Sequence, residues 1–189
     1  MNSYEKIYDE SIGNYGLITS TRASELGISN MTLVLLAQRG RLLHIRRGLY
    51  RLAHYVPTEY DGFAQAVMTV GENAYLYGES VIALLNLAPT NPAYFYVAQT
   101  GRSRKVLPGE IILKASDPGY TPVLIQGIRC QQVGDAILSA RDTVPRDRLV
   151  DAAREAYRTG YLGKEESEQI IRKLTRPHRP STNHASFVS

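Results

Sequence analysis

The 189-residue chain has a single cysteine, Cys130, and no tryptophan. One cysteine excludes an internal disulfide framework and any cysteine-cluster zinc site. No run of about 18 apolar residues occurs, which excludes a transmembrane helix. The opening stretch MNSYEKIYDESIGNYG is polar and amphipathic and lacks the marks of a signal or transit peptide. A cytoplasmic protein with no membrane association is expected. With 43% apolar and 21% charged residues, wholesale disorder is also excluded. The length suits one large domain or two small ones.

Catalytic constellations are missing as well. The histidines, at 44, 54, 178 and 184, have no partner four positions away and no HExxH context. Cys130 falls in an expected strand, where a core role is the ordinary one. Gly78-Glu79-Ser80 lacks the following glycine of a nucleophile elbow. There is no phosphate-cradling GxxxxGK[ST] motif, and no Gly-Ser followed by paired aspartates as a nucleotidyltransferase needs. Asp135, Asp142, Asp147 and Asp151 lie near helix starts and faces, where charge–dipole and solvation roles suffice. The expectation is a non-enzyme with no catalytic residue, no metal ligands and no cofactor.

What is present is a charge pattern. The net charge of +4 divides into +3 for residues 1–54, −3 for 55–171 and +4 for 172–189. A basic front, an acidic middle and a basic tail hint at nucleic-acid contact at a basic end.

The front carries a recognisable order of elements. Tyr4, Ile7, Tyr8, Ser11 and Ile12 are spaced by threes and fours, predicting an amphipathic helix over 4–14 that ends at Gly13–Gly16. Leu17-Ile18 is a short apolar stretch, and Thr19, Ser20 or Thr21 can cap a short second helix stopped by Gly27. Ser29 is the natural N-cap of a third helix, Asn30 to Arg39, stopped by Gly40. Two helices joined by a short glycine-containing turn form a helix-turn-helix. Leu42–Arg46, Arg47-Gly48 and Leu49–Leu52 then read as a two-stranded hairpin, which makes the unit a winged helix.

Arg39, Arg41, Arg46, Arg47 and Arg51, with His44, crowd this hairpin without one acid among them. Planar guanidinium groups suit phosphate contacts and minor-groove insertion. The helix N-terminus at Ser29, with Asn30 and Thr32, adds backbone N–H groups for an anion, and Gln38 lies on the outward face. These ten residues form the expected DNA contact set. Placing Leu33, Leu36 and Ala37 inward leaves Met31, Val34, Leu35 and Gln38 outward. Met31, Val34 and Leu35 serve either as thymine-methyl contacts or as a protein interface.

The segment from Gly16 to Leu52 resembles the N-terminal winged helix of AbiEi-family antitoxins, from bicistronic toxin–antitoxin systems once classed as type IV. Gly27-Ile28-Ser29, Gly40-Arg41-Leu42 and above all Arg47-Gly48-Leu49-Tyr50 carry the resemblance. Relatives often place polar or basic residues where this chain has its apolar outward face. Tyr75–Leu85 matches a second family block more loosely, with Val81-Ile82 in place of a small residue.

Beyond Ala53–Asp61, read as a linker with Pro57, helices are expected over 60–70 and 79–87, the unit closing at Pro89 and Pro92. Strands follow at 94–98, 111–114, 123–125 and 128–131, three or four of them sharing a small sheet, with a basic loop at 101–105. Helices beginning at Asp135, Arg146 and Glu165 close the chain. Leu149, Ala152, Ala153 and Ala156 share one face, and Glu168 and Arg172 stand at the ion-pair spacing. The fold class is therefore α+β: a winged helix-turn-helix (1–54), a mixed α/β antitoxin domain with a small sheet and C-terminal helices (55–174), and a basic tail (175–189).

The resemblance implies an antitoxin that neutralises a cognate nucleotidyltransferase-like toxin and represses its own promoter. Its partners would be that toxin and promoter DNA with inverted repeats, on which two copies would meet. The alternatives are a winged-helix protein-interaction module and a ligand-sensing transcription regulator without a toxin.

Overall fold

The computed structural model describes residues 1–90, 92–101 and 106–176. The basic loop at 102–105 and the basic tail from 177 onward lie outside the described residues.

Helix α1, Ser3–Ile12, starts in a capping box: Glu5 N donates to the Asn2 side chain at 2.9 Å, and Asn2 N donates to the Glu5 carboxylate at 2.7 Å. Strand β1 is Leu17–Thr19, and Thr19 caps α2, Ser20–Glu25, accepting from Arg22 N at 3.1 Å. Ser29 does the same for α3, Asn30–Gln38, accepting from Thr32 N at 3.2 Å. Between the two helices Gly27 turns the chain at φ +77°, a conformation glycine adopts without steric cost. Strands β2, Leu42–Arg46, and β3, Leu49–Leu52, form the wing.

The wing sheet has three strands rather than the expected two, in the antiparallel order β1-β3-β2. Leu17-Ile18 is the added strand. At three residues it is too short to display the alternation that marks a strand.

Side chains alternate across this sheet, and each face meets a different core. Ile18, Tyr50 and Leu52 join Ile7, Ala23, Ile28, Leu33 and Leu42 in the helix-turn-helix core. Leu17 and Leu49 face the other way and belong to the large core of the C-terminal portion.

That portion opens with α4, Asp61–Val70, then β4, Tyr75–Leu76, and α5, Glu79–Leu84. Helix α5 ends three residues earlier than its periodicity predicts. Asn86 takes a left-handed φ of +50°, and Leu87 N donates to the Ile82 carbonyl at 3.0 Å, a Schellman closure. Strands β5, Phe95–Gln99, β6, Ile111–Ala115, β7, Val123–Ile125, and β8, Ile128–Cys130, complete a five-stranded sheet in the order β6-β5-β4-β8-β7. It is mixed: β5–β6 and β4–β8 run parallel, β4–β5 and β7–β8 antiparallel. The strand beyond the expected four is β4, two residues long and central.

Buried polar side chains lock α5 to this sheet. Ser80 accepts from Tyr96 N at 2.7 Å. Gln131 accepts from Gly78 N at 3.0 Å and donates to Ser139 Oγ at 3.0 Å, so both ends of its amide are satisfied.

Helix α6, Val133–Ser139, a 3-10 turn, Ala140–Asp142, α7, Arg146–Arg158, and α8, Lys164–Thr175, form the helical end. Leu149, Ala152, Ala153 and Ala156 are all buried, as the spacing predicts. The small alanines let α8 approach closely enough for Ser167 Oγ to donate to the Ala153 carbonyl at 2.8 Å. The expected Glu168–Arg172 ion pair does not form: Arg172 Nε donates instead to the Glu168 backbone carbonyl, at 3.3 Å. The architecture is α+β.

Candidate nucleic-acid interface

Helix α3 presents the surface opposite the helix-turn-helix core. Leu33 is fully buried and Leu36 and Ala37 pack against the same core, so the outward residues are left in solvent. Met31 is 67% exposed, Val34 40% and Leu35 43%. Asn30, Gln38 and Arg39 are exposed too. Ser29 and Thr32 are committed to the cap, their hydroxyls 3.0 Å apart in a shared hydrogen bond.

The wing divides its cations between two directions. Arg47 lies exposed at the turn beside Gly48, whose φ of +75° closes the hairpin. Arg41 is exposed, with its guanidinium stacked 4.2 Å over the Tyr4 ring. That stacking holds the flat group in place while leaving its edge available for hydrogen bonds. His44 is exposed, with its ring 5.0 Å from that of Tyr50. No acidic residue occurs between Glu25 and Glu59, so nothing in this stretch of sequence offsets the arginines.

Arg46 and Arg51 turn the other way. The β2–β3 register slips between His44 and Arg46, a β-bulge that puts Ile45 and Arg46 together on the face shared with Leu49. Ile45 accordingly packs on the large core, and Arg46 reaches Glu110 at 3.2 Å. Arg51 alternates onto the same face and pairs with Asp61 at 3.2 Å. That pair is nearly enclosed, with side chains 13% and 11% exposed.

Asp61 is the first residue of α4, and its other oxygen accepts from Thr58 N at 2.6 Å and Thr58 Oγ1 at 2.8 Å. Gln65 accepts from Arg51 at 3.4 Å, and the Tyr55 ring lies 5.7 Å from the guanidinium. The stretch read as a linker is thus pinned by its own side chains. A further tie is the hydrogen bond from Tyr15 Oη to the Gln126 carbonyl. Asp61, Glu110 and Gln65 are the residues that sequence reading missed. Nothing in the sequence marks them, because the bulge that aims Arg46 at Glu110 has no composition of its own.

The sequence that builds the N-terminal helices and the wing is similar to a known family. Residues 5–53 match the transcriptional regulator, AbiEi antitoxin. Over these residues the N-terminal unit is similar to that family. The match runs from the first turn of α1 to just past the wing, and the second sheet lies beyond it. No curated protein matches the chain.

Among the described residues no three His, Cys, Asp or Glu side chains gather as a metal site. No described helix is long and apolar enough to cross a membrane. Cys130 is fully buried on β8, and burial pushes its thiol up to about 12. A thiol kept protonated and covered is unreactive. The native chain should therefore leave a thiol reagent such as dithionitrobenzoate unconsumed at pH 7.5 and consume one equivalent in 6 M guanidinium chloride.

Proposed function

We propose that this chain is the antitoxin of a bicistronic toxin–antitoxin pair, repressing its own promoter through the AbiEi-type winged helix and neutralising a nucleotidyltransferase-like toxin. The units are residues 1–54 for DNA, 55–174 for the toxin and 175–189 as a basic tail. The observation that carries the reading is the exposed α3 flanked by Arg39, Arg41 and Arg47, none of which forms an ion pair with a described residue.

In this reading the N-terminal turn of α3 at Asn30, held in shape by the Ser29–Thr32 cap, meets a phosphate. Gln38 faces base edges, and Arg39, Arg41, His44 and Arg47 grip the backbone on either side. Arg46 stands at the margin of the contact, and Arg51 supports the wing from behind. Inverted repeats bring two copies together on one operator. The acidic stretch 55–171 suits a basic, nucleic-acid-using enzyme, since complementary charge speeds encounter.

The test is a gel-shift titration against the DNA upstream of the chain's own reading frame, repeated across salt concentrations. Binding should weaken steeply with salt. Arg39→Ala/Arg47→Ala should reduce the slope of log affinity against log salt by about two. Absence of binding at moderate salt overturns the regulatory half of the reading. A neighbouring gene that encodes no nucleotidyltransferase overturns the toxin half.

A further inference from the structure

The outward stripe of α3 has a chemical character of its own. Met31, Val34, Leu35 and Gln38 follow the i, i+3, i+4, i+7 spacing, so they form one line along the helix. Seven residues at 1.5 Å each make that line about 10 Å long, about three base pairs of B-DNA. Its central members carry no hydrogen-bonding group, and they are not surplus core, because Leu33 fills the core from the opposite side. The polar groups nearby are either spent on the cap, as Ser29 and Thr32 are, or placed at the two ends, as Asn30 and Gln38 are.

We infer that α3 selects DNA by the C5-methyl groups of thymine. The inference rests on the DNA-binding reading above and specifies which feature of the groove is read. Among the groups that base pairs display in the major groove, the thymine methyl is the one that an apolar side chain meets favourably. Gln38, at the end of the line, has the amide that pairs with adenine N6 and N7. Together they describe a short run of A·T pairs in each half-site.

Charge decides the occupant. An apolar face intended for another protein's apolar face gains nothing from neighbouring exposed arginines, whereas a polyanion does. Arg39 follows Gln38 at the end of α3, Arg47 lies exposed at the wing turn, and no acid occurs from residue 26 to residue 58.

Uracil differs from thymine in DNA by this one methyl, so it gives a direct test on the full chain. The upstream fragment would be amplified once with thymidine triphosphate and once with deoxyuridine triphosphate, and each duplex titrated at the same salt. Each contacted methyl is worth about fourfold in affinity. The uracil duplex should therefore bind more than tenfold more weakly. Val34→Ala/Leu35→Ala should bring the thymine-to-uracil ratio towards one. Arg39→Ala/Arg47→Ala should weaken both duplexes and keep the ratio. Equal affinity of the native chain for both duplexes overturns methyl reading and leaves DNA binding standing. Failure to bind either duplex overturns both.

Discussion

Asp61→Ala should lower the unfolding free energy by about 3 kcal/mol, read from the shift of a urea denaturation midpoint at unchanged slope. The cost arises less from the attraction lost than from what is left behind. Arg51 is 13% exposed, and without Asp61 its charge is enclosed with the neutral Gln65 side-chain oxygen 3.4 Å away and the Tyr55 ring 5.7 Å away. Thr58 N, which donates to Asp61 at 2.6 Å, loses its acceptor as well. The carboxylate at the first position of α4 also faces the positive end of that helix. Replacing both partners, Arg51→Met with Asp61→Leu, should recover most of the loss, since removing a whole buried pair is far cheaper than removing half of it.

Gly16→Ala should cost about 3 kcal/mol, from two independent causes. The residue sits at φ +67°, where a side chain is disfavoured by about 1–2 kcal/mol. A Cβ there would also lie 2.6 Å from Tyr55 Cγ and 2.8 Å from Tyr55 Cβ. Relief by backbone movement is limited, because Gly16 N donates to Ser11 O at 2.9 Å and Gly16 O accepts from Leu52 N at 2.8 Å. Overpacking of this kind adds about 1–3 kcal/mol. Gly27→Ala makes the comparison: its φ is +77°, but nothing lies within 4 Å of the added carbon. It should cost about 1 kcal/mol, and a matching loss at both sites would mean that the Tyr55 contact is unimportant.

Helices with strong punctuation were legible from the chain alone. Ser29 and Gly40 bracket α3, and the alanine stripe of α7 is buried as its spacing requires. Elements defined by partners were not. Strands β1 and β4, of three and two residues, exist because longer neighbours supply their hydrogen bonds. The arginines show the same limit within the candidate site. Arg39, Arg41 and Arg47 are exposed, as their clustering suggests, but a one-residue bulge carries Arg46 to a carboxylate 64 positions away. Composition reports how many cations a segment holds; strand register decides which way each one faces.

The two-faced wing sheet is in effect a party wall. One side carries Ile18, Tyr50 and Leu52, the other Leu17 and Leu49 with the paired Arg46 and Arg51. Cutting the chain after residue 54 would strip one side bare, exposing leucines that the intact protein never shows and freeing two arginines from their carboxylates. Such a fragment would be both stickier and more cationic than the unit it is meant to represent, so any affinity measured on it would overstate that of the whole chain.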